Sequence, residues 1–277
     1  MSKFFLFKKH WKTGVTAAAS LLLAGAAFAQ SGVSFKDPAN DDNGPGTYTY
    51  PTDQVYKRGS FDMTGLDVKV SGKKVDFSVG FGTSLEDPWR MGTGFSVEQV
   101  FIFIDTKEGG FKEGVPGTNV TFADGNEWDY LVVLSPQAPG TVKNEVDAKM
   151  PAATKAAVIV PTRVKGAGRT ISASVDLDQL GGGDPSQWGY QVVVQSNEGF
   201  PDKADMLTRK VNEYEGQHRF GGGTDSDCDP HVMDILAGSG TGAADEVQAQ
   251  HDMLKYECNP DGTRKSGAAL KMVRKGK

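Results

Sequence analysis

The chain has 277 residues, a formal net charge of −5 and 35 glycines. Nucleic-acid binding sets lysine and arginine against phosphate, so an acidic balance argues against that class of partner. No C-x-x-C-H, H-E-x-x-H or G-x-S-x-G occurs, which excludes covalent c-type haem and leaves the commonest hydrolase signatures unfilled.

Lys3, Lys8, Lys9 and Lys12 precede an apolar run over 15–28, and Ala27-Phe28-Ala29 has the small-x-small cleavage pattern. These features predict a secretory signal peptide over 1–29 and an exported product, in a periplasm, on a cell surface or in the medium. No later run approaches the roughly 18 apolar residues that a spanning helix needs, so no transmembrane segment is expected after cleavage. Residues 30–277 read as one domain, since an all-β domain of up to about 250 residues need not divide. Arg264, Lys265, Lys271, Arg274, Lys275 and Lys277 make its C-terminal tail basic. That tail reads as a solvated final strand or as a contact for an anionic wall polymer or lipid headgroup.

Residues 35–51, F-K-D-P-A-N-D-D-N-G-P-G-T-Y-T-Y-P, crowd side-chain oxygens together. Asp37, Asn40, Asp41 and Asp42 fall within six residues, and Gly44, Pro45 and Gly46 then bar a helix. Carboxylates this close repel one another unless water or a cation neutralises them. Calcium takes several oxygens from short flexible loops, so the run reads either as a calcium site on Asp37, Asp41 and Asp42 or as an acidic solvated turn. It lacks the EF-hand spacing.

A short first strand is expected at 47–50. Leu66, Val68 and Val70 then alternate with Asp67 and Lys69, Ser71-Gly72-Lys73 reverses the chain, and Val75, Phe77, Val79 and Phe81 alternate with Asp76 and Ser78. Period-2 alternation on both arms predicts a hairpin with one face on a core and one in water. Residues 97–105, V-E-Q-V-F-I-F-I-D, are apolar on both faces and predict a central strand covered on both sides. Further strands are expected at 130–134, 156–160, 169–176 and 189–195, separated by glycine- and proline-rich loops. No helical pattern of 10 to 15 residues separates successive strands, so the pattern predicts an antiparallel β-sandwich. Helices are expected only at 245–256, where Val247, Gln250, His251 and Leu254 share a face, and more weakly at 203–211.

Cys228 and Cys258 are the only cysteines. In an exported chain they predict a disulfide, and the competing reading joins them with His231 and His251 in a zinc site. Trp89, Trp128 and Trp188 each stand beside loop residues. Indoles so placed stack sugar rings when exposed and pack the core when buried. The loop Gly221-Gly222-Gly223 is read as either an amide cradle or a place where the chain needs positive φ angles.

The opening D-P-A-N-D-D-N-G-P-G-T-Y-T-Y-P, R-G-S-F-D-M-T-G with Asp62, E-D-P-W-R with Trp89, V-F-I-F-I-D ending at Asp105, W-G-Y-Q-V-V-V-Q-S-N-E-G-F, H-R-F-G-G-G, H-V-M-D-I-L and H-D-M-L-K-Y follow in order. Together they resemble the C-terminal module of glucodextranase, a DOMON-like, family-9-carbohydrate-binding-like sandwich, over about residues 33–273. The resemblance implies a jelly-roll-like sandwich, extracellular placement and binding rather than catalysis. Asn40, where that pattern more often has glycine, and the two cysteines depart from it, and no glycosidase domain is expected beside the sandwich.

The combined expectation is a non-catalytic protein of the cell envelope that binds a cell-surface or storage glycan, with Trp89, Trp128 and Trp188 as stacking candidates. Its calcium ion would be held by Asp37, Asp41 and Asp42, joined by Asp62 and Asp105 at neighbouring strand ends. Two other classes remain open. One is a structural subunit of a surface layer or envelope assembly with protein partners. The other is a b-type haem electron-transfer domain, as in some DOMON-like domains, using His218, His231, His251 or methionines as ligands.

Overall fold

A computed structural model describes residues 1–2, 32–197, 209–224 and 228–276. The signal peptide expected at 1–29 and most of the helix expected at 203–211 lie outside the described residues. In chain order, β1 (Gly32–Lys36), β2 (Met63–Ser71) and β3 (Lys74–Phe81) are followed by β4 (Glu98–Asp105), β5 (Val120–Phe122) and β6 (Tyr130–Leu134). Helices α1 (Pro139–Lys149) and α2 (Ala152–Lys155) lead to β7 (Val158–Ile159), β8 (Val164–Ala167), β9 (Thr170–Asp176) and β10 (Gly189–Ser196). Then come β11 (Asp234–Ile235), α3 (Glu246–Met253), β12 (Glu257–Cys258), β13 (Arg264–Ser266), β14 (Ala268–Leu270) and β15 (Val273–Arg274).

Two sheets face each other. The first has the order β1-β2-β3-β9-β8, antiparallel throughout. The second has the order β11-β10-β4-β6-β7, with β15 also on β10 and only β6–β7 parallel. The fold is an all-β sandwich. The hairpin follows the alternation in the sequence: Val68 faces Phe77 across the ladder, Ser71 faces Lys74, and Gly72 turns with φ +64°.

Every residue of β4 is buried, and the two-sided apolar pattern explains why. Val100, Ile102 and Ile104 join Val68, Phe77 and Val79 in the core between the sheets. Phe101 and Phe103 point the other way, into a second core closed by Val142 and Val146 of α1, Leu254 and the β5–β14 pair. Each large apolar side chain so buried is worth about 1.5–3 kcal/mol, and β4 contributes to both layers.

Some elements differ from the sequence expectation. The 47–50 strand is a single bridge, Thr49 to Gly221. The 156–160 strand shrinks to Val158–Ile159, because α2 runs to Lys155 and the Ala157 amide closes its last turn on the Thr154 carbonyl. Helix α1 was not expected. Pro139 starts it, and its apolar stripe is only Val142 and Val146, too thin a pattern to stand out in the sequence.

Candidate metal centre

Three buried carboxylates, Asp37, Asp41 and Asp234, each bring an oxygen within 4.8 Å of the others. Asp37 follows β1, Asp41 lies in the turn after it, and Asp234 opens β11 on the opposite sheet. Asp234 is firmly anchored: its Oδ2 accepts from the Met63 amide at 2.6 Å and its Oδ1 from the Ile235 amide at 2.8 Å. Since Met63 begins β2, this side chain ties the two sheets together at one end of the sandwich.

The other two are poorly satisfied. Asp37 Oδ1 accepts only a long bond from the Ala237 amide, 3.4 Å, and its Oδ2 has no partner. Neither oxygen of Asp41 has one. Among the described residues the ion pairs lie elsewhere. Unpaired buried oxygens of this kind carry a penalty of about 1–3 kcal/mol each, more when charged.

The turn that carries Asp41 is locked from several sides. Gly44, at φ +61°, lies so close to the Tyr48 ring and the Val232 carbonyl that no side chain fits there. Gln250 of α3 is fully buried; its amide donates to the Asp41 and Gly44 carbonyls, and its oxygen accepts from the Ile235 amide at 2.9 Å. Asp62, just before β2, accepts from the Asn40 amide at 2.9 Å and so holds Asn40 at φ +69°. Asp42 accepts the Tyr50 hydroxyl. The glycine triplet serves close packing: Thr49 and Gly221 exchange backbone bonds of 2.9 and 3.1 Å, and Gly222, at φ +84°, packs against the Thr47 carbonyl.

Burial, reinforced by Asp41, pushes Asp37 well above the usual carboxyl range, and burial next to Asp37 and Asp41 does the same to Asp234. Burial, then the Asp62 charge, raises Asp41 to about 7. Burial raises Asp62 to about 6 against the opposing hydrogen bond from Asn40. Without a cation such a group holds protons, and a divalent ion displaces them. The donor set is all oxygen and rich in carboxylate, which fits a hard cation such as calcium.

Of the five acids that sequence reasoning proposed as ligands, Asp37 and Asp41 are in the central group, with Asp42 and Asp62 beside it. Asp105 is not with them. It ends β4, while Asp234 is level with Val100 through Val194 of β10, and five residues of strand separate the two by about 17 Å. There Asp105 pairs with Arg274. Asp234 was the member of the carboxylate group missed; its signal was an acid in the middle of an apolar run, V-M-D-I-L. Gln250 was placed on a shared helix face but not recognised as a clamp.

The tryptophans divide two to one. Trp128 is fully buried, its Nε1 donating to the Glu113 carbonyl at 2.8 Å, and Trp188 is 4% exposed, so neither offers a face to a sugar. Both belong to the core, as a sandwich with two apolar layers needs large rings inside. Trp89 is half-buried and meets Tyr56 edge-on at 6.4 Å. Cys228 and Cys258 form a disulfide with their Cα atoms 5.9 Å apart, which removes both thiolates from any zinc site. His231 Nδ1 accepts the Val211 amide at 2.9 Å, His251 packs on Gly46, and His218 meets Tyr56 edge-on.

Beside the carboxylates lies a cavity of about 360 Å³, walled by Tyr48, Tyr50 and Tyr56 with Asp42, Asn43 and Arg58 at its polar side. A sandwich with buried acids at one end and an aromatic hollow against them has the architecture of a β-sandwich binding module. The family model for the SLH-like C-terminal binding module of glucodextranase matches residues 33–272, and the chain belongs to that family. The match spans both sheets and the whole carboxylate group. No curated protein matches the chain. Among the described residues no helix is long and apolar enough to cross a membrane.

Proposed function

We propose that this protein is an exported, non-catalytic component of the cell envelope that binds a glycan, with its sandwich stabilised by calcium at Asp37, Asp41 and Asp234. The observation that carries the reading is the extent of the family match, which covers residues 33–272 with a binding module. The calcium component rests on the three unpartnered buried oxygens of Asp37 and Asp41. Calcium would join the end of β1 to β11 across the sandwich, the same two sheets that Asp234 already links. Asp42 and Asp62 set the shape and charge of the surrounding loop.

Two measurements test this. Chelation with EDTA should lower the melting temperature, and calcium should restore it, since a ligand that binds only the folded state stabilises by mass action. A screen of purified protein against dextran, α-glucan oligosaccharides and wall glycan should yield at least one ligand; silence across all of them rejects the glycan. The family description as SLH-like favours a second reading, a protein or wall partner within a surface assembly. Native sizing of envelope extracts separates the two, because an assembly subunit migrates in a large complex and a free glycan binder does not.

A further inference from the structure

The tryptophans singled out by their loop positions do not cluster, whereas Tyr50 and Tyr56 share one aromatic cluster with Phe61 and Phe220. Tyr50 stands edge-on to Phe61 at 5.3 Å and to Phe220 at 6.1 Å. Tyr56 stacks on Phe61 at 6.4 Å with 28° between planes, and it also touches Trp89 and Phe220 edge-on. Ring packing of this kind holds Tyr50 and Tyr56 before any ligand arrives, so little side-chain freedom is lost on binding.

The polar side of the cavity is equally specific. Asp42 is already turned by the Tyr50 hydroxyl. Asn43 also lines the cavity, with its amide turned to the Gly46 carbonyl at 3.5 Å. Arg58 is exposed at the rim, a planar fork of donors. A volume of about 360 Å³ sits at the low end of the roughly 300–1,000 Å³ typical of small-molecule sites, room for one or two rings rather than a long chain. Aromatic faces suit the C–H surface of a sugar ring, and adjacent hydroxyls suit paired amide, carboxylate and guanidinium groups. A phosphorylated or otherwise anionic ligand is disfavoured by Asp42 and by the buried acids behind it.

We propose that this cavity is the glycan subsite, taking an uncharged pyranose unit against the half-buried Tyr50 ring and between Asp42 and Arg58, with Tyr48 and Tyr56 as its buried backing, and that the cation orders it from behind. The coupling is built into the turn. Asp41 faces the carboxylate group, while its neighbours Asn40 and Asp42, and then Asn43, line the cavity. An ion on Asp41 therefore fixes the residues on both sides of it, and by linkage a bound sugar tightens the ion equally. The inference rests on the glycan and calcium reading above.

The pyranose has two candidate sources, an α-glucan and the wall glycan, and the experiment separates them. Calorimetry on the purified protein with calcium uses isomaltotriose, maltotriose and an N-acetylglucosamine disaccharide, the uncharged sugar of the wall glycan, in separate arms. One arm is expected to bind, at least tenfold more weakly after Arg58→Ala, whose side chain is exposed and leaves the fold intact. Asp42→Asn and Tyr50→Phe should weaken it further, and EDTA should do so without substitution. Unchanged binding in both Arg58→Ala and Asp42→Asn overturns the subsite even if calcium still raises the melting temperature. Loss of binding in Arg58→Ala with no response to EDTA supports the subsite and overturns its coupling to the ion. Binding of choline in place of every sugar overturns the pyranose assignment, since a tyrosine ring beside a carboxylate also fits a quaternary ammonium.

Discussion

Asp41 and Asp234 come from opposite ends of the chain and meet with carboxylate oxygens within 4.8 Å, one fully anchored by backbone amides and the other with no partner. That asymmetry divides the work between them. Asp234 is part of the frame that joins the sheets, and Asp41 is the group whose oxygens are left without a partner. Four predictions follow from this arrangement and from the contacts around it.

Metal-free stability should fall as pH rises. The folded values of Asp62, about 6, and Asp41, about 7, lie above the ordinary carboxyl value near 4, so the folded protein holds protons that the unfolded chain has released. Stability then declines as pH climbs from about 4 through about 7. Glu98, a buried acid at the start of β4, is pushed up to about 8 by burial and extends the decline. EDTA-treated protein should melt at progressively lower temperature between pH 5 and pH 8. Calcium should recover the Asp41 and Asp62 share but not that of Glu98. A melting temperature that climbs over this range without metal contradicts the burial of these acids.

Asp234→Asn and Asp105→Asn should separate the two acidic ends of the sandwich. The asparagine at 234 keeps one acceptor oxygen for the backbone but removes a charge from the ligand set, and calcium affinity should drop at least tenfold. At 105 the change breaks the pair with Arg274, a loss of about 1–3 kcal/mol, with the calcium response unchanged. Calcium titration followed by tryptophan fluorescence or calorimetry reads both. An equal loss of calcium binding in the two variants would falsify the placement of the ion.

Gln250→Ala should destabilise by about 2–4 kcal/mol, because it removes three buried hydrogen bonds at about 1 kcal/mol each and leaves the Asp41 carbonyl with the Asn43 amide and the Ile235 amide with Asp234. Denaturant unfolding measures the loss. A further drop in calcium affinity is expected in the same variant, since Gln250 holds the backbone of the residue that carries the free oxygens. Substitution of the neighbouring exposed Asp252 should leave both quantities near wild type.

Removing the disulfide should lower stability by about 3–4 kcal/mol on the chain-entropy estimate for a 30-residue separation. The paired Cys228→Ser, Cys258→Ser variant, melted beside the reduced wild type, checks it. Calcium binding should persist in both, because the bridge joins the chain before β11 to β12 and does not touch the three carboxylates. Coincident loss of metal response would show instead that the bridge holds β11 in place.

Local rules carried much of the fold. Alternation in 66–81 gave β2 and β3 with their turn, and the unbroken apolar run of β4 announced a strand with a core on each side. Helix α1 escaped because two valines on an otherwise polar helix leave almost no periodic signal. In the site, the crowding of Asp37, Asp41 and Asp42 was visible at once, because it is a property of adjacent residues. Asp105 looked equivalent to Asp62 as an acid at a strand end, but which end of the sandwich each occupies depends on strand direction and register.

The sequence by itself determined the class of the fold, the pairing partners available to two lone cysteines, and the acidic turn on which a cation can be proposed. Each of these follows from local composition or spacing. Only the tertiary structure decided that Asp234 completes the carboxylate group, that Trp128 and Trp188 are core, and that Tyr50 and Tyr56 wall a cavity against the same turn. Burial and proximity are set by how the two sheets pack. The same type of side chain is a ligand, a core residue or a surface group according to which layer its strand register turns it toward.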